Sequence, residues 1–157
     1  TTFTVLLPFE IDTAYENGET FQKSVPEGDI SGVKVLLVED NELNMEIAKF
    51  LLEHAGIKVT TAFNGKEAVD IFASSEENQF DLILMDVMMP VMDGLTATRR
   101  IRAMNRKDAG KIPIFAMTAN AFSDDIEESR KAGMNEHLSK PLDEKKMMSM
   151  IRRYVVH

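Results

Sequence analysis

From Val33 onward the chain alternates between two hydrophobic patterns. Five short apolar runs occupy Val33–Val38, Ile57–Ala62, Phe80–Met85, Ile112–Met117 and, more weakly, Met134–Leu138. Between them lie stretches of helical spacing, about 42–55, 66–74, 94–105, 122–132 and 143–155. Short apolar runs alternating with helices predict βαβ crossovers, hence a parallel sheet. The run Leu82-Ile83-Leu84-Met85 is apolar at every position, as a central strand buried on both faces should be. Gly56, Gly65 and Gly133 fall near helix ends, where a left-handed turn is expected. Five such units predict an open α/β doubly wound sheet with helices on both faces.

The stretch 42–55 carries two apolar stripes. At 100° per residue, Ala48, Leu51, Leu52 and Ala55 gather on one face, expected to pack on the sheet. Leu43 and Phe50 gather nearly opposite, with Ile47 at the margin, and are expected to be exposed.

The first 32 residues do not follow this pattern. Residues 1–9, TTFTVLLPF, are uncharged and rich in β-branched residues, which suits a strand. Residues 10–32 hold six acids and one base, so they carry −5 of the net charge of −8. With Gly18, Pro26, Gly28 and Gly32 among them, they cannot bury enough surface to offset their ordering entropy and read as a linker.

Composition removes several classes. The acidic balance argues against a nucleic-acid binder, which needs a basic stripe. There is no cysteine, so disulfides, thiol catalysis and cysteine-ligated zinc are excluded. No apolar run approaches the ~20 residues that span a bilayer, and no signal peptide is visible. The chain begins at Thr1 and is expected to be a piece of a longer protein, itself soluble or membrane-anchored, with this part cytoplasmic and without direct membrane contact.

In doubly wound sheets, ligands bind outside the C-terminal ends of the strands. Glu39-Asp40-Asn41 stand there after the first run, Asp86 after the third, Thr118-Ala119-Asn120 after the fourth and Lys140-Pro141 after the fifth. Crowded carboxylates repel unless a cation sits among them, and a hard ion held by carboxylates, carbonyls and water is the usual Mg²⁺ arrangement. A lysine and a hydroxyl beside such a site suit a phosphoryl group. Asp86, ending the central run ahead of the tight turn at Asp93-Gly94, is placed to be the nucleophile. The plainer alternative is that these acids are helix N-caps on a generic rim.

The motifs VLLVEDN (35–41), DLILMDVMMPVMDG (81–94), FAMTANA (115–121) and LSKP (138–141) resemble the receiver domain of two-component response regulators over about 33–157. That resemblance implies a flavodoxin-like fold with strand order 2-1-3-4-5. It implies that Asp86 is the phosphoacceptor, that Asp40 ligates Mg²⁺ directly, that Glu39 acts through water and that the Met88 carbonyl completes the metal site. Thr118, Ala119 and Lys140 would bind the phosphoryl oxygens, and the Lys140-Pro141 bond would be cis. The donor would be a phosphohistidine on a histidine kinase dimerisation domain or a histidine phosphotransfer protein. Residues 1–9 are similar to the closing strand of a kinase ATP-binding domain. Kinase end, acidic linker and receiver in that order suggest part of a hybrid histidine kinase whose ATP site is absent from this chain.

One position departs from the family. An aromatic residue often stands three before the lysine, and here it is His137, which with Thr118 would form the switch. The other reading of His137 is a half-exposed residue without a role. The basic cluster Arg99, Arg100, Arg102, Arg106, Lys107 and Lys111 reads as a solvated face. Two rival functions remain. An aspartyl-nucleophile phosphatase needs a second acid two residues past the nucleophile, where this chain has Met88. A degenerate, non-phosphorylated binding module would lack site residues, and all five are present. The apolar pair Leu43 and Phe50, with Ile47, is the expected docking surface for the phosphohistidine protein.

Overall fold

The computed structural model describes residues 28–119 and 122–156. The strand expected in residues 1–9, most of the linker, Asn120, Ala121 and His157 lie outside the described residues. The chain order is β1 (Lys34–Val38), α1 (Glu42–His54), β2 (Lys58–Ala62), α2 (Gly65–Ser74), β3 (Leu82–Asp86), α3 (Gly94–Arg102), β4 (Ile114–Thr118), α4 (Ser123–Ala132), β5 (Glu136–Ser139) and α5 (Glu144–Val155). The sheet is parallel throughout, in the order β2-β1-β3-β4-β5. Every residue of β3 is buried at its centre, as the unbroken apolar run requires.

The two-residue period of the strands divides the core into two layers. Val35, Leu37, Leu82, Leu84, Phe115 and Met117 face α1 and α5, where Met45, Ala48, Leu52, Met147 and Ile151 meet them. Leu36, Val38, Ile83, Met85, Ile114 and Ala116 face the other way, against Ala68 and Phe72 of α2 and Ala97 and Ile101 of α3. Ile30, just ahead of β1, is buried in the first layer.

Four local expectations need correction. Helix α3 stops at Arg102 rather than near 105, because the following chain is drawn off the helix axis. Arg106 turns back to donate to the carbonyls of Phe72, Ser75 and Glu76, and its guanidinium lies 4.3 Å from the Phe72 ring centroid. Nor are Arg102 and Arg106 part of a solvated face. Arg102 donates to the carbonyls of Gly133 and Ala109, and Arg106 makes a 2.7 Å ion pair with the buried Asp108. Strand β5 begins at Glu136, two residues later than expected, since Gly133 (φ 106°) and Met134 complete the α4 cap, the Met134 N–H donating to the Ser129 carbonyl. Finally, Gly65 has no positive φ. It is small because a Cβ there would lie 2.5 Å from the Met92 carbonyl oxygen.

Candidate functional site

Strands β1 and β3 are parallel neighbours with Val38 opposite Met85, so the residues that follow, Glu39 and Asp86, emerge side by side. One oxygen from each of Glu39, Asp40 and Asp86 lies within 4.8 Å of the other two. Glu39 and Asp86 are 2% and 4% exposed, whereas Asp40 is open to solvent. The helix caps are other residues: Asn41, Asn64, Asp93 and Asp143 accept the N–H three residues on, and Phe122, at the N-cap position of α4, makes no side-chain cap. None of the three rim acids is spent on capping, so the N-cap alternative does not hold.

Lys140 comes from the far side of the rim. Its backbone N–H donates to the Thr118 carbonyl at 2.8 Å, and the Lys140-Pro141 bond is cis, as expected. Its Nζ lies 2.7 Å from Glu39 Oε2 and 3.0 Å from Asp86 Oδ2. The site therefore brings together Glu39, Asp40, Asp86 and Lys140, with the half-buried Thr118 at the end of β4 and Ala119 exposed beyond it. The Met88 N–H donates to Asp86 Oδ1 at 3.3 Å, and the Met88 side chain is 80% exposed.

The sequence reading passed over Gly94 except as a turn. Its N–H donates to the Val87 carbonyl, and a Cβ there would stand 2.1 Å from the Asp86 carbonyl oxygen. Only glycine lets α3 begin against the backbone of Asp86. The Glu39–Lys140 pair was also missed, because the two residues are 101 positions apart and only the strand order joins them.

Burial pushes the Asp86 carboxyl up to about 7; the Lys140 hydrogen bond opposes this and the charge of Glu39 adds to it. Burial pulls the Lys140 ammonium down, but its hydrogen bonds to Glu39 and Asp86 outweigh that and hold it above the usual lysine range. Three carboxylates against one ammonium leave the cluster short of positive charge. Oxygen donors with a negative excess are what a hard divalent cation requires, so the residues fit Mg²⁺.

His137 stands opposite Ala116 in the β4–β5 pairing, and its Nε2 is buried without a hydrogen-bond partner among the described residues. Burial lowers its pKa, Glu136 opposes and Arg130 adds, so the ring is neutral near pH 7. On α1, Leu43 (69%), Ile47 (49%) and Phe50 (66%) are exposed, while Ala48 and Leu52 are buried, which is the division the two stripes predicted. Phe50 stacks on His54 with centroids 5.9 Å apart.

Residues 35–152 match the family of the response regulator receiver domain. Among curated proteins, the chain is 37% identical over 124 residues to hybrid signal transduction histidine kinase I of Dictyostelium discoideum, a match covering 78% of this chain and 7% of that protein. It is also 37% identical over 127 residues to the peroxide stress-activated histidine kinase mak3 of Schizosaccharomyces pombe, covering 80% of this chain and 5% of that protein. The chain thus spans only a small part of these relatives. Among solved structures, the receiver domain of sensor histidine kinase PA1611 from Pseudomonas aeruginosa, with a magnesium ion coordinated in its active site cleft, superposes with a TM-score of 0.73 at 37% identity, covering 81% of this chain and all of that one. The receiver domain of Saccharomyces cerevisiae Ssk1, crystallised with the histidine phosphotransfer protein Ypd1, gives 0.70 at 30% identity, covering 80% of this chain and 90% of that one.

Proposed function

The chain belongs to the response regulator receiver domain family, and on that premise we propose that Asp86 accepts a phosphoryl group from a phosphohistidine of a partner protein, as one step of a phosphorelay. The observation that carries this reading is the buried Asp86 carboxylate at the end of the central strand, met by the Lys140 ammonium and flanked by two further carboxylates. An Asp86 oxygen attacks phosphorus, an O–P bond forms, and the N–P bond breaks with its electron pair returning to the imidazole. Lys140 uses two of its three N–H donors on Glu39 and Asp86, and the third serves a phosphoryl oxygen. The Thr118 hydroxyl and the Ala119 N–H take the remaining oxygens. Glu39, Asp40, Asp86 and the Met88 carbonyl would hold Mg²⁺, which when bound neutralises charge on the phosphoryl oxygens. Thr118 and His137 form the switch that passes the change to the β4–β5 side.

The parent protein is a hybrid histidine kinase on this reading, with residues 1–9 the end of its ATP-binding domain, 10–32 a linker and 33–157 the receiver. That its relatives include proteins named as hybrid histidine kinases supports such a parent. No described helix is long and apolar enough to cross a membrane, and we place this part in the cytoplasm.

Titration with beryllofluoride, a phosphoryl mimic, tests the site. With Mg²⁺ present the protein should bind it and gain thermal stability. Asp40→Ala should lose most of the Mg²⁺-dependent gain; an unchanged gain would remove Asp40 from the ligand set.

The donor docks on α1. Leu43, Ile47 and Phe50 form an exposed apolar stripe on the helix that starts three residues after Glu39, and a helix of a phosphotransfer bundle laid along it brings a phosphohistidine to Asp86. Phe50→Asp should slow phosphotransfer from such a protein by about tenfold or more, the loss expected at an interface anchor. Labelling by acetyl phosphate should not change. Equal slowing of both reactions, or of neither, removes the patch as a docking site.

A further inference from the structure

We propose that Met88 is a selective oxidation site, converted by hydrogen peroxide to the sulfoxide, and that this conversion shortens the life of the phosphoryl group on Asp86. The second half rests on Asp86 being the phosphoacceptor; the first half does not.

The chain offers an oxidant eleven methionines and no cysteine, so no thiolate competes for peroxide. Seven of the eleven are buried: Met45, Met85, Met117, Met134, Met147, Met148 and Met150. Met89, Met92 and Met104 are half-buried and pack on the core layer beneath α2 and α3. Met88 alone is exposed, at 80%. Sulfur oxidation follows access, so one thioether in the molecule is open to the reaction.

That thioether sits beside the reacting carboxylate. The hydrogen bond from the Met88 N–H to Asp86 Oδ1 fixes its backbone next to the acceptor. The side chain grows from this point with three rotatable bonds and few contacts of its own, so it is free to lie over a phosphoryl group and exclude water.

Oxidation reverses that property. The peroxide O–O bond breaks, one oxygen forms a sulfoxide bond to the methionine sulfur, and the other leaves as water. The sulfur loses two electrons and the peroxide gains them. The product is polar, and its oxygen accepts hydrogen bonds where the thioether scarcely did. A water held there attacks the aspartyl-phosphate more readily than bulk water screened by an apolar chain. Sulfoxide reductases undo the change, so the modification is reversible.

Limiting hydrogen peroxide, followed by peptide mass mapping, tests the first half. Met88 should acquire oxygen several-fold faster than any other methionine. Oxidation of Met89, Met92 or Met104 at the same rate overturns the selectivity. For the second half, the parent and Met88→Leu are labelled with acetyl phosphate and Mg²⁺, each with and without prior peroxide. Peroxide should shorten the phosphoryl half-life several-fold in the parent and leave that of Met88→Leu where it was. An unchanged half-life in the oxidised parent, or equal shortening in both proteins, overturns the regulatory effect. Absence of any label in the untreated parent overturns the phosphoacceptor reading, and the mapping still decides the oxidation site.

Discussion

Asp86→Asn should stabilise the fold in metal-free buffer at about pH 8, by something on the order of 2–4 kcal/mol. Burial, with Glu39 beside it, raises the Asp86 carboxyl from 3.8 to about 7, against the pull of Lys140. The usual carboxylate case is therefore inverted. Below pH 3.8 the group is protonated in both states and costs nothing. As pH rises from 3.8 to about 7 the unfolded chain releases a proton that the native site retains, and stability falls. Above about 7 the cost is complete. Asparagine keeps the shape without the charge and leaves Lys140 paired with Glu39 at 2.7 Å. Asp40→Ala should gain much less, because Asp40 is exposed and its repulsion is screened. Lys140→Met should move the other way and lose ~3 kcal/mol, since it leaves two buried carboxylates without their cation. Urea denaturation near pH 4, 6 and 8 checks all three. A gain for Asp86→Asn that is the same at each pH would contradict the electrostatic account. Added Mg²⁺ should narrow the gap between parent and Asp86→Asn, because the parent binds the ion more tightly.

The fold was legible because period and run length agreed along the chain. Leu82–Met85 reads as a buried strand, and the two stripes of α1 separated the buried Ala48 and Leu52 from the exposed Leu43 and Phe50, while the buried Met45 fell outside them and Leu51 and Ala55 are only half-buried. Positions failed where a distant partner decides the outcome. Arg106 reads as one more surface cation until the end of α2 is folded beside it and, with its near neighbour Asp108, supplies the Phe72 ring and three carbonyls. Gly65 and Gly94 look like ordinary helix-end glycines, and what requires them is backbone from another loop or strand. The site was legible as a set of strand ends, since the ends of parallel strands share one rim. Its internal wiring was not. Nothing local says that Lys140 would pair with Glu39 as well as Asp86, or that Asp40 would face water while Glu39 is buried. His137 shows the opposite case. Its position three before the lysine is plain in the sequence, but the orphaned Nε2 follows only from the packing around β5.

The largest effect of all concerns the chemistry. On the proposed function, the amide of Asp86→Asn lacks the anionic oxygen that would attack phosphorus, and no other acid should take over. Glu39 is buried and held by Lys140, and Asp40 is exposed to solvent, without an ion pair to Lys140 among the described residues. The loss should be complete rather than partial, in a protein whose stability has risen, so misfolding cannot account for it. The direct measurement is intact-protein mass spectrometry after incubation with acetyl phosphate and Mg²⁺. The parent should gain the mass of one phosphoryl group, localised to the peptide containing Asp86, and Asp86→Asn should gain none. A phosphoryl group on Asp86→Asn at the parent's level, or on the parent at a residue other than Asp86, would contradict the account.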